Sequence, residues 1–233
     1  YFPGQKKTKG LLLYPPPHSQ YKTNNAILIH SAAGGVGSML VQMSRLLGLS
    51  PIVGVVGRST KVEEAKRLGC DVVIDKSSTP LYWDEIAKAS PRGYAAIMDA
   101  NGASTMQQSY DHLAPTGRLI VFGYHSNLPM SGGGMLLLSP FEWIKMAYKM
   151  LTQMPKFDAM DMTVENKSVM SFNLSFFADE KILVSTMLDQ VCEWFEEGEL
   201  VCPRVTEMDM ERIAEAHDLI QSGKSVGKIV MTV

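Results

Sequence analysis

Short apolar runs alternate with stretches of helical spacing from Ala26 to Tyr124. The runs, such as AILIH and PIVGVV, are apolar throughout, which is typical of strands buried on both faces of a parallel sheet. The stretches between them predict helices that cover the sheet. The pattern therefore predicts an α/β fold with a doubly wound parallel sheet. Strands are expected over 26–31, 51–56, 71–75, 94–100 and 117–124, and helices over 34–48, 60–69, 80–89 and 104–114.

A glycine-rich turn, SAAGGVG, joins the first predicted strand to the first predicted helix at residues 31–37. In a doubly wound sheet this is where a Rossmann domain binds the pyrophosphate of a dinucleotide. Glycines there allow a tight turn, close approach of backbone N–H groups to phosphate, and close packing of helix on strand. The spacing places Ala32, Gly34 and Gly37 at the three glycine positions, so alanine replaces the first glycine. The alternative is a turn whose glycines serve packing only.

The end of the second predicted strand indicates which nucleotide the turn would hold. Val56 stands where an acidic side chain would accept hydrogen bonds from the ribose of NAD. Arg58, Ser59 and Lys61 follow, and two cations with a hydroxyl suit the 2′-phosphate of NADP. The sequence therefore predicts NADP over NAD. The alternative is that these are solvated side chains at the start of a helix.

Composition and charge exclude several classes of protein. With 22 basic and 24 acidic residues, the net charge of −2 gives no electrostatic basis for binding nucleic acid. No apolar run approaches the length of a membrane span. The cysteines Cys70, Cys192 and Cys202 form no C-x-x-C pair, which predicts neither a zinc ribbon nor a disulfide framework and favours a reducing, cytoplasmic location.

Several segments together carry a family resemblance. They are AILIHSAAGGVGSMLVQMSRLLG, VVGRSTKVEEAKRLGCDVVID, MDANG, LAPTGRLIVFGYHSN, DMTVENKSVMSFNLSFF and IAEAHDLIQSGKSVGKIVMTV, within about Asn25 to Val233. The chain thus resembles the quinone oxidoreductase branch of the medium-chain dehydrogenase/reductases, and within it the vesicle amine transport protein-like subgroup. The resemblance implies a Rossmann cofactor domain and NADPH-dependent reduction of small quinones or α,β-unsaturated carbonyls (enones).

The resemblance also implies which residues contact the cofactor. Asn101, just past the fourth strand, is a further candidate, although a turn needs Asn and Gly there in any case. His125 either polarises a carbonyl or lies on a loop, and no side chain has an assigned acid–base role. The expected contacts are Gly34, Gly35, Val36 and Gly37 for the pyrophosphate, Gly57, Ser59 and Lys61 with Arg58 for the adenosine phosphate, and Gly123, Tyr124, His125, Phe172, Asn173 and Leu174 for the nicotinamide end.

Two further segments indicate how the chain contacts other molecules. SFNLSFF, residues 171–177, predicts another strand, and in this family the corresponding strand pairs across a dimer axis, so a homodimer is expected. Residues 131–157 break the strand–helix rhythm with three glycines and a methionine-rich helix. That segment is interpreted as an insertion beside the cofactor cleft, and the alternative is a surface for peripheral membrane association or a partner.

The resemblance also divides the chain. In relatives a β-rich, GroES-like substrate domain precedes the nucleotide domain and carries the zinc ligands of the alcohol dehydrogenase branch. Only the closing part of that domain is expected in this chain. The predicted organisation is a linker or remnant over 1–24, a Rossmann domain over 25–201, and the end of the substrate domain over 202–233, with strands at 204–210 and 228–233 and a helix through His217.

Three functions remain open. The first is hydride transfer from NADPH to a quinone or enone. The second is a cofactor-binding, vesicle- or membrane-associated interaction protein with weak or no redox activity. The third is a zinc-dependent alcohol dehydrogenase whose ligands lie upstream.

Overall fold

The computed structural model describes residues 25–124, 144, 147–148, 152, 154–177 and 179–233. The predicted linker 1–24, His125 and most of the segment 131–157 lie outside the described residues. The strands are β1 (Ile27–His30), β2 (Ile52–Val56), β3 (Val72–Asp75), β4 (Tyr94–Asp99), β5 (Leu113–Val121), β6 (Ser168–Ser171), β7 (Val205–Asp209) and β8 (Lys228–Thr232). The helices are α1 (Gly37–Leu46), α2 (Val62–Arg67), α3 (Tyr82–Ala89), α4 (Met106–Asp111), α5 (Ala159–Glu165), α6 (Leu174–Phe177), α7 (Lys181–Glu196) and α8 (Ile213–Gln221).

Six strands form the central sheet in the order β3-β2-β1-β4-β5-β6, and every neighbouring pair is parallel. The chain builds outward from β1 to β3, then crosses back and builds the other half from β4. The crevice between β1 and β4 is therefore the topological switch point, where ligands bind at the carboxyl ends of the strands. The predicted doubly wound Rossmann fold is confirmed.

Two apolar layers cover the two faces of this sheet. Side chains alternate along β1, so Leu28 packs in one layer while Ile27 and Ile29 pack in the other. β1 and β2 are buried along their whole length. Burial on both faces is the reason that these strands have continuously apolar sequences.

The predicted strand over 171–177 is wrong. β6 ends at Ser171, and Leu174–Phe177 form a single helical turn. The cause is Asn173, whose side-chain oxygen accepts a hydrogen bond of 2.9 Å from the backbone N–H of Ser175. An Asn side chain bonded to the backbone two residues ahead competes with strand pairing and starts a turn.

The C-terminal residues form a small second unit. β7 and β8 pair in parallel, with α8 between them in sequence, and their side chains are largely exposed. The elements expected over 204–210, around His217 and over 228–233 are therefore present. The assignment of residues 202–233 to a substrate domain stays a prediction. Gln42 of α1 holds the segment before this unit, since its amide donates to the carbonyl of Val201 at 3.1 Å and accepts from the N–H of Val201 at 2.8 Å.

Candidate cofactor site

A cavity of about 400 Å³ lies at the carboxyl edge of the sheet, at the switch point. Residues 34–37 and His30 form one side, Gly123 lies at the end of β5, and Gly227 and Lys228 of the C-terminal unit form the other side. The structure thus brings the four predicted pyrophosphate residues together with Gly123. It adds residues of the C-terminal unit that sequence reasoning did not assign to the site.

The glycine turn fits tightly against the end of β1. A Cβ atom on Gly37 would lie 2.2 Å from the carbonyl oxygen of Ser31, so only glycine allows α1 to start this close to the strand. Ser31 itself has φ of +57°, and its carbonyl accepts from the N–H of Gly34 at 2.9 Å. These contacts fix the turn before any ligand is present.

The alanine at the first glycine position is accommodated by the neighbouring strand. Ala32 is fully buried, and its N–H donates to the carbonyl of Val55 in β2 at 3.1 Å. A Cβ on Gly54 would lie 2.8 Å from the Cβ of Ala32 and 2.6 Å from the sulfur of Cys70. Gly54 therefore provides the space that the extra methyl group of Ala32 occupies.

The start of α1 is open to an anion. Among the described residues, the backbone N–H groups of Gly35 and Val36 have no hydrogen-bond acceptor. The first turn of α1 has no acidic residue and no side-chain cap. Unpaired N–H groups at the positive end of a ten-residue helix favour a bound phosphate.

A buried polar network lies beneath the cavity. His30 Nε2 and the Ser109 hydroxyl are 3.0 Å apart, and that hydroxyl donates to Asp99 Oδ2 at 3.1 Å. All three residues are at most 1% exposed. Burial lowers the pKa of His30 to about 4, against the opposing charge of Asp99, so the imidazole is neutral at pH 7. Sequence reasoning missed His30, although a polar residue inside the apolar run ILIH was a usable signal.

Asp99 also shapes the turn that follows β4. Its Oδ1 accepts from the N–H groups of Asn101 at 2.8 Å and Gly102 at 3.1 Å, and Thr105 donates to Oδ2 at 2.7 Å. The Ser31 hydroxyl donates to the side-chain oxygen of Asn101 at 3.4 Å. The predicted candidate Asn101 is thus buried beside the glycine turn, in the position that a turn requires.

Three cations meet beside the end of β2. Burial lowers the pKa of Lys61, and the charges of Arg58 and Lys76 lower it further, so both of these cations lie within electrostatic reach of Lys61. Within the described part of the chain none of the three has an ion-pair partner. Lys76 was missed from the sequence because it follows β3, one strand further from the turn. Gly57 belongs to this group, since its ideal Cβ position lies 3.6 Å from the Lys76 side chain.

Of the residues predicted to contact the nicotinamide end, Gly123 lines the cavity and Phe172, Asn173 and Leu174 do not. A Cβ on Gly123 would lie 2.8 Å from the carbonyl oxygen of Ala100, so glycine allows the ends of β4 and β5 to approach closely. Phe172, Asn173 and Leu174 lie past the end of β6 and are exposed rather than in the cavity wall.

Across the described ranges, no three side chains of His, Cys, Asp or Glu are grouped so as to hold a metal ion. The described residues therefore do not fit a zinc site.

The strand order and the glycine turn at its switch point define a Rossmann-class nucleotide fold. A family model described as zinc-binding dehydrogenase matches residues 35–188, which is most of the 233-residue chain. The chain belongs to the zinc-binding dehydrogenase family.

Individual relatives agree with this assignment. The human synaptic vesicle membrane protein VAT-1 homolog is 28% identical over 207 residues, which cover 89% of this chain and 50% of the relative. A quinone oxidoreductase from Pseudomonas syringae has a TM-score of 0.67 and 24% identity, with coverage of 94% of this chain and 59% of that one. The Escherichia coli quinone oxidoreductase complexed with NADPH has a TM-score of 0.69 and 17% identity, with coverage of 94% and 60%.

The resemblance to the quinone oxidoreductase and VAT-1-like proteins is confirmed. The chain spans about half the length of the VAT-1 homologues that it matches. In the described ranges no helix has the length and apolar character needed to cross a bilayer.

Proposed function

We propose that this chain binds NADPH and forms the cofactor-binding part of an oxidoreductase that reduces quinones or α,β-unsaturated carbonyl compounds. The observation that carries the proposal is the presence of Arg58, Lys61 and Lys76 near one another after the ends of β2 and β3. Three cations without an acidic partner in the described part need an anion, and the dianionic 2′-phosphate of NADPH supplies one. The cofactor in the E. coli relative supports the same choice.

The described residues fit the phosphate-bearing part of such a cofactor. The free N–H groups of Gly35 and Val36 would bind the pyrophosphate, and Gly37 allows α1 to start close enough to present them. When bound, NADPH supplies a hydride to the substrate, and the protein's part is binding, orientation and exclusion of water. Ile220 and Ile229 add apolar surface to the cavity wall.

The neutral imidazole of His30 is the group best placed to keep the site rigid. It lines the cavity and is tied to Asp99 through Ser109, so the end of β1 and the turn after β4 are held by one network. A satisfied buried network of this kind fixes one arrangement of the groups around it. We assign His30 a positioning role and no proton transfer.

We also propose that the chain forms a homodimer through the free edge of β6. β6 is the last strand of the sheet, so one edge of it is unpaired among the described strands, and Met170 on it is 53% exposed. Pairing of two β6 edges would cover this apolar edge. Analytical ultracentrifugation that gives a dimer mass at micromolar concentration is the expected result, and a monomer mass argues against it.

One observation favours a second candidate, an interaction protein with weak or no redox activity. α7 has no buried residue, and Ile182 and Leu188 on it are 86% and 60% exposed. Such a surface fits contact with another molecule, and the human relative is named a synaptic vesicle membrane protein.

A zinc-dependent alcohol dehydrogenase would need ligands from outside the described residues. The cytoplasmic location stays a prediction.

The two candidates are separated by an activity assay. Steady oxidation of NADPH in the presence of a model quinone, lost in Gly37→Val, supports the reductase. NADPH binding without oxidation across a panel of quinones and enones supports the interaction protein. Metal analysis of the full-length protein tests the zinc alternative, because its ligands would lie outside the described residues.

A further inference from the structure

The imidazole of His30, at the end of β1, has a hydrogen-bond partner for only one of its two ring nitrogens. Nε2 lies 3.0 Å from the Ser109 hydroxyl, and among the described residues Nδ1 has no partner. The residue is 1% exposed, and Trp83 packs against its ring with the ring centroids 5.6 Å apart. His30 nevertheless belongs to the wall of the cavity. Because buried polar atoms are normally hydrogen-bonded, the unpaired nitrogen points to a ligand.

The network beneath the cavity determines which ring nitrogen carries the proton. The Ser109 hydroxyl has a single proton and donates it to Asp99 Oδ2 at 3.1 Å. The hydroxyl oxygen therefore accepts from His30, so Nε2 carries the N–H group. The imidazole is neutral at pH 7, because burial lowers the pKa of His30 to about 4. Nδ1 consequently has no proton and is a hydrogen-bond acceptor.

An acceptor in this wall selects the kind of ligand group that can lie beside it. Nδ1 would repel the carbonyl oxygen of a quinone or enone, which also only accepts, whereas it would bind a hydroxyl group that donates. His30 therefore suits the cofactor better than the carbonyl of the substrate.

The position of the cavity indicates which half of the cofactor lies beside His30. A Rossmann sheet binds a dinucleotide across its switch point, with one mononucleotide on each half of the sheet. The cations after β2 and β3 mark the half for the adenosine phosphate. From His30 the cavity wall continues to Ala100 and Gly123, which follow β4 and β5 on the other half. The mononucleotide beside His30 is therefore the one that carries the nicotinamide.

We propose that Nδ1 of His30 accepts a hydrogen bond from a ribose hydroxyl of the nicotinamide half of the bound dinucleotide. The inference rests on the proposed function and deepens it, since it assigns a protein contact to the half of the cofactor that supplies the hydride. Ser109 and Asp99 hold the imidazole in the tautomer that leaves Nδ1 free to accept. The contact orients the ribose and transfers no proton.

Two substitutions separate this contact from the buried network. The side-chain amide of His30→Gln replaces Nε2, so it keeps a donor to Ser109 and removes the acceptor. The side-chain oxygen of His30→Asn replaces Nδ1, so it keeps an acceptor and loses the bond to Ser109. His30→Gln should weaken NADPH and NADH by the same factor, about three- to tenfold. His30→Asn should bind both dinucleotides more tightly than His30→Gln does, although its fold is less stable.

The matched control is His112→Gln. His112 also contacts Trp83 but lies outside the cavity wall, so this variant should bind both dinucleotides as the wild type does. Adenosine 2′,5′-bisphosphate is the matched probe, because it carries the 2′-phosphate and lacks the nicotinamide ribose. The wild type and His30→Gln should bind this probe equally, and weaker binding of it by His30→Gln would contradict the contact with the nicotinamide half.

Nitrogen NMR of the wild-type chain tests the contact without any loss of stability. The resonance of His30 Nδ1, assigned by its absence from His30→Gln, should move upfield when NADPH binds and should stay in place with adenosine 2′,5′-bisphosphate. An Nδ1 resonance that NADPH leaves unchanged, or equal losses of affinity in the Gln and Asn variants, would overturn the inference and leave the proposed function standing. A wild-type chain that binds neither dinucleotide contradicts the proposed function, and the inference falls with it.

Discussion

The Ser59 hydroxyl donates a hydrogen bond of 2.5 Å to the carboxylate of Asp75. The bond joins the loop after β2 to the end of β3. Ser77 and Ser78 also donate to this carboxylate through their hydroxyls, at 2.6 Å and 3.1 Å. The hydroxyl proton of Ser59 is thus engaged, so a phosphate beside it would be recognised by Arg58 and the two lysines first. Ser59 acts in the structure as the anchor of the loop that presents those cations.

Replacement of Asp75 by Asn should therefore loosen this loop and destabilise the fold. Burial would raise the pKa of Asp75, but the hydrogen bonds from Ser59, Ser77 and Ser78 outweigh it and lower the pKa from 3.8 to about 2. A lowered pKa means that the ionised carboxylate contributes stability above pH 4, and that this contribution is lost as the pH falls towards 2. Urea unfolding should show Asp75→Asn less stable at pH 7 by about 1–2 kcal/mol.

The control is Asp189→Asn on the exposed face of α7, which should not change the stability. The difference between wild type and Asp75→Asn should shrink as the pH falls from 4 to 2. A difference that stays constant over this range would contradict the assigned hydrogen bonds.

Ser109→Ala should break the network beneath the cavity. His30 and Asp99 would both lose a partner while remaining buried, which costs about 1–3 kcal/mol in the free energy of unfolding. Ser185→Ala, an exposed serine of α7, is the matched control. Thermal unfolding measures both, and equal melting temperatures for the two variants would argue against a structural role for the network.

The buried imidazole also predicts a pH dependence. Because burial lowers the pKa of His30 from 6.5 to about 4, protonation favours the unfolded chain between these values. The stability that the neutral imidazole contributes is complete above pH 6.5 and is lost as the pH falls towards 4. His30→Gln should therefore show a smaller loss of stability than the wild type between pH 6.5 and 4.5 in urea titrations, and an equal loss would refute the assignment.

Gly37→Ala should move α1 away from β1, since the new methyl group would lie 2.2 Å from the carbonyl oxygen of Ser31. We expect destabilisation of about 2 kcal/mol or more. Gly57→Ala is the folding control because its Cβ would meet only the Lys76 side chain, at 3.6 Å. Differential scanning calorimetry that gives similar melting temperatures for the two variants would contradict the packing described at Gly37.

The cysteines should differ in reactivity. Burial raises the pKa of Cys70 to about 12, with the Asp71 carboxylate adding to this and Arg45 opposing it, whereas Cys192 and Cys202 are exposed. Thiolate is the reactive form. A disulfide-exchange reagent should therefore modify two thiols of the native chain rapidly and the third only on unfolding. Rapid modification of all three would contradict the packing of Cys70 between β2 and its neighbours.

The sequence pattern predicted the Rossmann half of the fold well because buried parallel strands are apolar throughout and glycine marks the turn after β1. It failed at residues 171–177, where apolar residues alternate as in a strand but the side chain of Asn173 starts a helical turn. It also missed Lys76 and Lys228. Both are distant in sequence from the residues that they meet. The pairing of β3 with β2 brings Lys76 to Gly57, and the docking of β8 brings Lys228 to Gly35.

The affinity of the chain for NADPH relative to NADH tests the central claim most directly. Isothermal titration calorimetry should show NADPH bound at least about tenfold more tightly than NADH, because the cations after β2 and β3 have a phosphate to bind. Lys61→Met and Lys76→Met should each weaken NADPH and leave NADH unchanged, whereas Lys88→Met on α3, paired there with Glu85, should change neither. Equal affinity of the wild-type chain for the two nucleotides, or no binding of either, would contradict the account.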